Sequence, residues 1–340
     1  MKRMMYPLLL LTFLGLYGCE EASAPTQETE PAHDVSWWLV DWAGEASVTD
    51  TVAAAAGLNR LMLFTSYVDA SGHLYQTDEG KELIETVFAT ESIADKPIFL
   101  TVVNDRFVDD KVIQKDPSVI TDLLDDPDLE EKYWQQLFDV LERHPFTGVE
   151  MDFEKIPPTR FEDYVSFLER AEERLREKGM TLRVIFEPGA PFDNVTLPSG
   201  IEYVVMAYNL HGFHTPDDPG PKATYSFFDQ LSERMTSGTD WTVALAAGGF
   251  LFKDGRVTSL TERDALEMLP EGTKIERDPA SSVLRATYVE DGVPATLWWA
   301  DGETMTRWMA YWEKHHDFHN FSLWRAGEWS DSSLKTISTW

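Results

Sequence analysis

The sequence predicts an α/β protein of the (β/α)8 (TIM) barrel class, and three observations predict it. Apolar strand-like runs alternate with amphipathic helical stretches from Val35 onward, the runs number eight, and no Gly-x-Gly-x-x-Gly follows an early run. Alternation of strand and helix argues for a parallel sheet with crossover helices, and eight units suggest closure into a barrel. A doubly wound open sheet is the rival architecture. The missing glycine signature weakens it in its nucleotide-binding form.

Taken in order, the strands are expected at residues 35–40, 60–67, 98–104, 148–153, 181–186, 203–207, 242–247 and 321–324. Helical patterns separate them at 48–56, 79–89, 129–143, 160–178, 225–235 and 303–315. The spacing is regular except before the last strand. There, residues 250–300 hold a short helical piece at 262–269 and a hairpin-like pair, 284–289 and 295–299, turning at Asp291-Gly292. This reads as a small α+β insertion between strands 7 and 8, on the barrel face that carries the strand C-termini. Such an insertion would wall one side of a cleft.

Residues 1–18 read as a secretory leader. Lys2 and Arg3 precede an apolar run over 6–16, which ends in Leu16-Tyr17-Gly18-Cys19. The segment resembles a bacterial lipoprotein signal, with Cys19 as the lipidated residue. The run is too short to span a bilayer, which takes about 20 apolar residues. Cys19 is the only cysteine, so no disulfide forms within the chain. Residues 19–34 are polar, acidic and proline-punctuated, and read as a disordered tether between membrane and barrel domain, residues 35–340. The expected location is therefore extracytoplasmic, at the cell membrane.

The formal charge is −30, and removing Lys2 and Arg3 with the leader makes it −32. Phosphate recognition needs a basic surface and none is visible, so a nucleic-acid partner is disfavoured. Solubility, or a salty habitat, explains the acidity.

The chemistry-bearing stretch is Thr147-Gly-Val-Glu-Met-Asp-Phe-Glu154. Strand side chains alternate, so Glu150, Asp152 and Glu154 share one face while Val149, Met151 and Phe153 share the other. Carboxylates leaving water must shift their pKa or find partners, and a row of them on a central strand points to catalysis or a metal. Ile156-Pro157-Pro158 cannot continue the strand, which leaves Glu154 at the rim where barrel enzymes keep their catalytic groups. Packed acids raise one another's pKa, so Glu154 can hold a proton near neutrality while Asp152 stays charged. That division of labour fits glycosidic bond cleavage.

Residues 148–154 resemble the Asp-Gly-x-Asp-x-Asp-x-Glu motif of glycoside hydrolase family 18. Val204-Val-Met-Ala-Tyr-Asn209 resembles its sixth-strand Met-x-Tyr-Asp element, and Phe321-Ser-Leu-Trp-Arg-Ala-Gly327 its eighth-strand tryptophan segment, in the form of the bacterial spore and cell-wall branch. The likeness spans residues 35–330. It implies a retaining mechanism in which the substrate's own N-acetyl group is the nucleophile. It further implies Glu154 as general acid and base, Asp152 orienting the acetamide, Tyr208 donating to the acetamide oxygen, and Trp324 flooring the sugar at the cleavage point. Glu150, Met206, Asn209, Trp38 and His211 are expected to contact substrate. Three residues depart from the family pattern: Thr147 and Glu150 stand where the motif has Asp, and Asn209 replaces the Asp after the tyrosine.

Other polar clusters get the plainer reading. His315, His316, Asp317 and His319 fall in a polar helix-to-strand connection, a solvated loop rather than ligands, so no metal site and no cofactor are expected. His211 and His214 follow the sixth strand near Asp217 and Asp218, where a substrate contact is plausible. Trp37, Trp38, Trp298 and Trp299 divide between sugar stacking and buried packing. Glu187 sits on the rim without an assigned role. Asp105, Asp109, Asp110 and the acids over 122–128 read as a solvated surface. The expectation is a monomeric, lipid-anchored glycosidase of β-1,4-linked N-acetylglucosamine polymers, peptidoglycan ahead of chitin, with glycoprotein glycans open. A non-catalytic sugar-binding lipoprotein on the same barrel is the alternative, and a solute-binding lipoprotein a distant third.

Overall fold

A computed structural model describes residues 33–109, 111–236, 238–327 and 329–340. The leader, Cys19 and all but the last two residues of the expected tether lie outside them. Asp34 already opens the first strand, so the ordered domain starts one residue earlier than expected.

Eight parallel strands close on themselves: β1 (Asp34–Val40), β2 (Arg60–Asp69), β3 (Ile98–Val108), β4 (Gly148–Asp152), β5 (Thr181–Phe186), β6 (Ile201–Met206), β7 (Trp241–Ala246) and, last in the chain, Asn320–Trp324. The last strand pairs with both β1 and β7, which makes the sheet a barrel. Each strand buries most of both faces, hence the largely apolar runs that marked them in the sequence.

The helices are α1 (Gly44–Ala54), α2 (Asp78–Ala89), α3 (Pro117–Asp125), α4 (Pro127–Leu141), α5 (Phe161–Glu177), α6 (Tyr225–Ser232), α7 (Glu262–Met268), α8 (Gly302–His316) and α9 (Asp331–Ser338). In α5 the buried residues Phe161, Tyr164, Phe167, Leu168, Ala171 and Leu175 recur every three to four positions, the stripe that docks a helix on a barrel. The acids over 122–128 are less idle than a solvated surface. Asp126 caps α4 by accepting from the N–H groups of Asp128 and Leu129, with Pro127 at the first helical position. Asp122 accepts from the buried Arg106 guanidinium at 2.8 Å. Between β5 and β6 the described chain has only one short turn of 3-10 helix, Phe192–Asn194, in place of a crossover helix. Phe192 is buried there against Trp241 and Phe186, with the Arg234 guanidinium 4.6 Å above its ring.

The insertion is a five-stranded antiparallel sheet, larger than the hairpin the sequence suggested. Its strands are β8 (Gly248–Lys253), β9 (Arg256–Leu260), β10 (Ile275–Arg277), β11 (Leu284–Glu290) and β12 (Val293–Ala300), and the closing barrel strand Asn320–Trp324 is then β13. Gly249 lets β8 and β12 meet, since a Cβ there would lie 1.7 Å from the Trp298 carbonyl oxygen. Trp299 is buried within this sheet's own core, and Trp37 stacks on Trp329 beneath α1, so neither is a sugar platform.

The floor of the barrel interior is charged. Arg183 on β5 reaches Glu150 on β4 at 3.0 Å and also contacts Glu202 on β6, which in turn contacts Arg60 on β2; Arg60 meets Asp34 on β1. Thr242 and Ser322 add hydrogen bonds to Glu202 and Arg183, at 2.8 and 3.0 Å. Each buried charge thus has a partner, which is the condition for keeping it out of water.

Candidate active site

β4 starts at Gly148 for a steric reason: a Cβ there would sit 2.1 Å from the Thr181 carbonyl oxygen of β5. From that anchor, Val149, Met151 and Phe153 enter the core under the helices. Glu150, Asp152 and Glu154 turn inward, as the alternation required. The strand ladder ends at Asp152, and Asn104 of β3 replaces it. Asn104 Nδ2 donates to the Glu154 carbonyl at 2.9 Å, and the Glu154 N–H donates to Asn104 Oδ1 at 3.0 Å. That two-point clamp fixes the backbone of the rim acid.

Above β4 opens a cleft of about 1140 Å³. Asp152, Glu154, Met206, Tyr208, Asn209, His211 and Trp324 all line it. Phe250 and Ser259 of the insertion form part of its wall, as expected of a segment on that face. Trp324 closes the floor, its ring meeting Phe64 edge-on at 5.3 Å and Trp38 at 5.8 Å; the Trp324-Arg325 peptide bond is cis. Asn209 takes a left-handed φ of 69°, a conformation asparagine accepts more readily than most residues. The His211 ring lies against Gly220, where a Cβ would clash at 2.5 Å, and its Nδ1 is 2.9 Å from the Pro221 carbonyl.

Glu150 and Trp38 are not in the cleft. Both are buried, and they bond to each other. The Trp38 indole N–H donates to Glu150 Oε1 at 2.6 Å, Thr101 donates to the same oxygen at 2.8 Å, and Arg183 holds the other. The extra methylene of Glu150, relative to Asp, carries its carboxylate down to the charged floor. The expectation that these two residues contact substrate is corrected accordingly.

Asp152 Oδ1 is buried and has no hydrogen-bond partner among the described residues. Burial first, and then the charge of Glu154, hold the Asp152 carboxyl well above the usual range, with Lys115 opposing. Glu154 is also raised by burial, but the neighbouring Lys115 ammonium restrains it. Both carboxyls are thus raised, whereas the sequence reading left Asp152 charged, and Glu154 alone has the Lys115 ammonium in direct contact. Burial and the same acids push the Tyr208 hydroxyl far up, so it stays a neutral donor.

Sequence reasoning missed four cleft residues. Lys115 reaches Glu154 at 2.5 Å, and its own N–H donates to Asp105 Oδ1 at 2.7 Å. Asp105, assigned from the sequence to a solvated surface, is a cleft residue whose carboxyl is raised by burial. Asp41 lines the wall and accepts from Tyr67 and Thr77 at 2.8 and 2.6 Å. Trp42 is 55% exposed over the cleft, with the Arg325 guanidinium 5.3 Å from its ring. Asp41 and Trp42 immediately follow the first strand, so the rule that barrel function sits at strand C-termini could have found them. No sequence signal marks Lys115, which arrives on the loop before α3.

No family model matches the chain. A curated protein of Bacillus subtilis (strain 168), an uncharacterized glycosylase named YvbX, is 20% identical over 246 residues, 67% of this chain and 71% of that protein. Among solved structures, the Bacillus cereus spore cortex-lytic enzyme SleL superposes with a TM-score of 0.75 at 17% identity, covering 91% of this chain and 74% of that one. A chitinase from Chromobacterium violaceum gives 0.73 at 17% identity, covering 90% and 98%. These likenesses establish the (β/α)8 fold.

Proposed function

We propose that the chain is a glycoside hydrolase of the family 18 type, cleaving β-1,4-linked N-acetylglucosamine polymers with retention. The observation that carries this reading is the state of Asp152: an inward carboxyl at the cleft floor, raised by burial, with one buried oxygen left without a partner beside Glu154. An unpaired buried acceptor costs about 1–3 kcal/mol, and an acetamide N–H of the substrate would satisfy it. The names of the similar proteins, a chitinase, a cortex-lytic enzyme and a glycosylase, support the same class.

In the mechanism this implies, the acetamide oxygen attacks the anomeric carbon while Glu154 gives its proton to the leaving glycosidic oxygen. Asp152 turns the acetamide into line and balances the positive charge of the cyclised oxazolinium ion, and Tyr208 donates to the acetamide oxygen. Glu154, now ionised, takes a proton from water as that water opens the ring at the same carbon, and the acid is restored. Trp324 and Trp42 supply flat faces for the sugars.

Peptidoglycan is the preferred substrate, and Lys115 supports the preference. A strongly acidic chain repels an anionic glycan, and a lysine at the cleavage point is suited to the lactyl carboxylate of a muramic acid that has lost its stem peptide. Binding that carboxylate would also release Glu154 to accept a proton. We further propose an extracytoplasmic location with Cys19 lipidated, and a monomer.

A sugar-binding protein without catalysis is the second reading, favoured by one fact: the Lys115 ammonium already occupies Glu154 before substrate arrives. Release of reducing ends from purified peptidoglycan and from chitin oligomers, by wild type and by Glu154→Gln, decides between them. Wild-type release that falls at least a hundredfold in the variant supports the enzyme. Equal and negligible release with intact binding supports the lectin. A thiazoline mimic of the cyclised intermediate should inhibit, and indifference to it would remove the participation of the N-acetyl group.

A further inference from the structure

The barrel end opposite the cleft carries a cluster that glycan cleavage does not use. His33 lies immediately before β1, Glu313 in the last turn of α8, and His319 immediately before β13. Their Nδ1, Oε1 and Nδ1 atoms fall within 4.8 Å of one another. All three atoms are shielded from solvent, and none has a hydrogen-bond partner among the described residues. His33 Nδ1 touches Glu313 Oε1, and His319 Nδ1 is 3.9 Å from that same oxygen. Two imidazole nitrogens converge on one carboxylate oxygen in a pocket shielded from water, and a cation between them would satisfy all three atoms at once.

A second, independent contact sets the direction of one of them. His319 Nε2 lies 3.1 Å from the Asp317 carboxylate, and in the tautomer that donates to that carboxylate the Nδ1 lone pair faces Glu313. Asp317 is held there by its left-handed φ of 59° as the cap of α8. A histidine oriented by a carboxylate on its far nitrogen is the usual support of a metal ligand. Two imidazoles and one carboxylate suit a borderline cation such as Zn²⁺, whereas Ca²⁺ and Mg²⁺ prefer oxygen alone. Ligand atoms around tetrahedral zinc stand about 3.4 Å apart, given bonds of about 2.0–2.1 Å. The His319 spacing is near that value, and His33 has to draw back from Glu313 to reach it.

We propose that His33, Glu313 and His319 bind one Zn²⁺ or a similar borderline divalent cation, with Asp317 orienting His319 and the fourth position left to water. The site lies on the seam that closes the barrel, where Asp34 pairs with Asn320 and the Asp34 N–H donates to the His319 carbonyl at 3.1 Å. A bound cation would pin the start of β1 to the end of α8.

The test is titration of the chelator-stripped full chain with Zn²⁺ by calorimetry, with Co²⁺ absorption as a second readout. One Zn²⁺ per chain is expected, with a thermal midpoint that rises as Zn²⁺ is added. Glu313→Gln and His319→Ala should weaken binding at least a hundredfold, and Asp317→Asn, which keeps the backbone cap, about tenfold to a hundredfold. Wild type should show the visible bands of tetrahedral Co²⁺, and Glu313→Gln should lose them while its circular dichroism is unchanged. Absence of saturable Zn²⁺ binding by the stripped wild type, or equal affinity in all variants, overturns the proposal.

Discussion

The Lys115 ammonium lies 2.5 Å from each carboxylate oxygen of Glu154, so the proposed proton donor waits as half of an ion pair. Around Glu154 stand Lys115, Asp105, Asp152 and Glu187, three carboxyls against one cation. Burial raises the Glu154 carboxyl, and Lys115 is the main force holding it down. Lys115 is itself subject to burial, which lowers its pKa, yet the charge and hydrogen bond of Glu154, with Asp152 and Glu187 behind them, together lift it.

Removing the cation by Lys115→Met should therefore raise the pKa of Glu154 further. A general acid with a higher pKa stays protonated to higher pH, so the alkaline limb of kcat/KM on neutral chitin oligomers should move upward, with roughly tenfold more relative activity retained there. On peptidoglycan strands stripped of their stem peptides the same variant should lose at least tenfold in kcat/KM, because the partner of the substrate carboxylate is gone. Lys115→Arg should keep the peptidoglycan preference. An unmoved alkaline limb would mean that Lys115 does not tune the acid.

Asp152 makes the site costly to the fold. Its folded pKa is raised, so its contribution to stability is complete below the ordinary carboxyl pKa and is lost as pH rises through the folded value. At neutral pH the wild type carries that loss, and Asp152→Asn does not. The variant should unfold at a higher temperature at neutral pH, by on the order of 1 kcal/mol or more, and the advantage should vanish in acid. Its activity should drop on the order of a hundredfold. Calorimetric scans of both proteins across the acid range check the sign.

The barrel was legible because its strands are buried on both faces, which writes them as largely apolar runs such as Ile98 to Val103, interrupted only by Thr101, and because Gly148 to Glu154 concentrates the chemistry in one strand. Local patterns carried those features. What escaped was set by distance in space. Lys115 meets Glu154 only because β3 extends past the barrel rim and returns. Glu150 shares its face with Asp152, and alternation alone cannot say that Arg183, one strand over, draws it to the floor. His33 and His319 meet only when the first and last strands pair.

Trp42 should contribute affinity rather than rate. Its ring is exposed over the cleft, packed edge-on by Phe64 at 5.4 Å and backed by Arg325, and no core depends on it. Trp42→Ala should raise KM for long glycans about tenfold, the equivalent of one aromatic contact of about 1.4 kcal/mol. It should change kcat less than about twofold and leave the unfolding midpoint within experimental scatter, as expected for a surface position. A fall in kcat with KM unchanged would instead place Trp42 at the bond being cleaved.

Arg183 and Glu150 form one ion pair, but deleting them is not symmetrical. The floor holds three acids, Glu150, Glu202 and Asp34, against two arginines, Arg183 and Arg60. Neutralising Glu150 leaves two charges of each sign, whereas deleting Arg183 leaves three acids facing one cation. Glu150→Gln also keeps an oxygen for the Trp38 and Thr101 donors, each of which lies within 2.8 Å. Arg183→Leu should then cost about 3–5 kcal/mol, the usual toll for stranding a buried charge, and Glu150→Gln about 1–2 kcal/mol. Urea unfolding of the two variants measures the difference. The loss relative to wild type should grow as pH rises through the acid range, because Glu202 gives up one of the two arginines that hold its carboxyl down. If Glu150→Gln proves the costlier change, the floor is held by hydrogen-bond geometry at Glu150 rather than by the balance of charge.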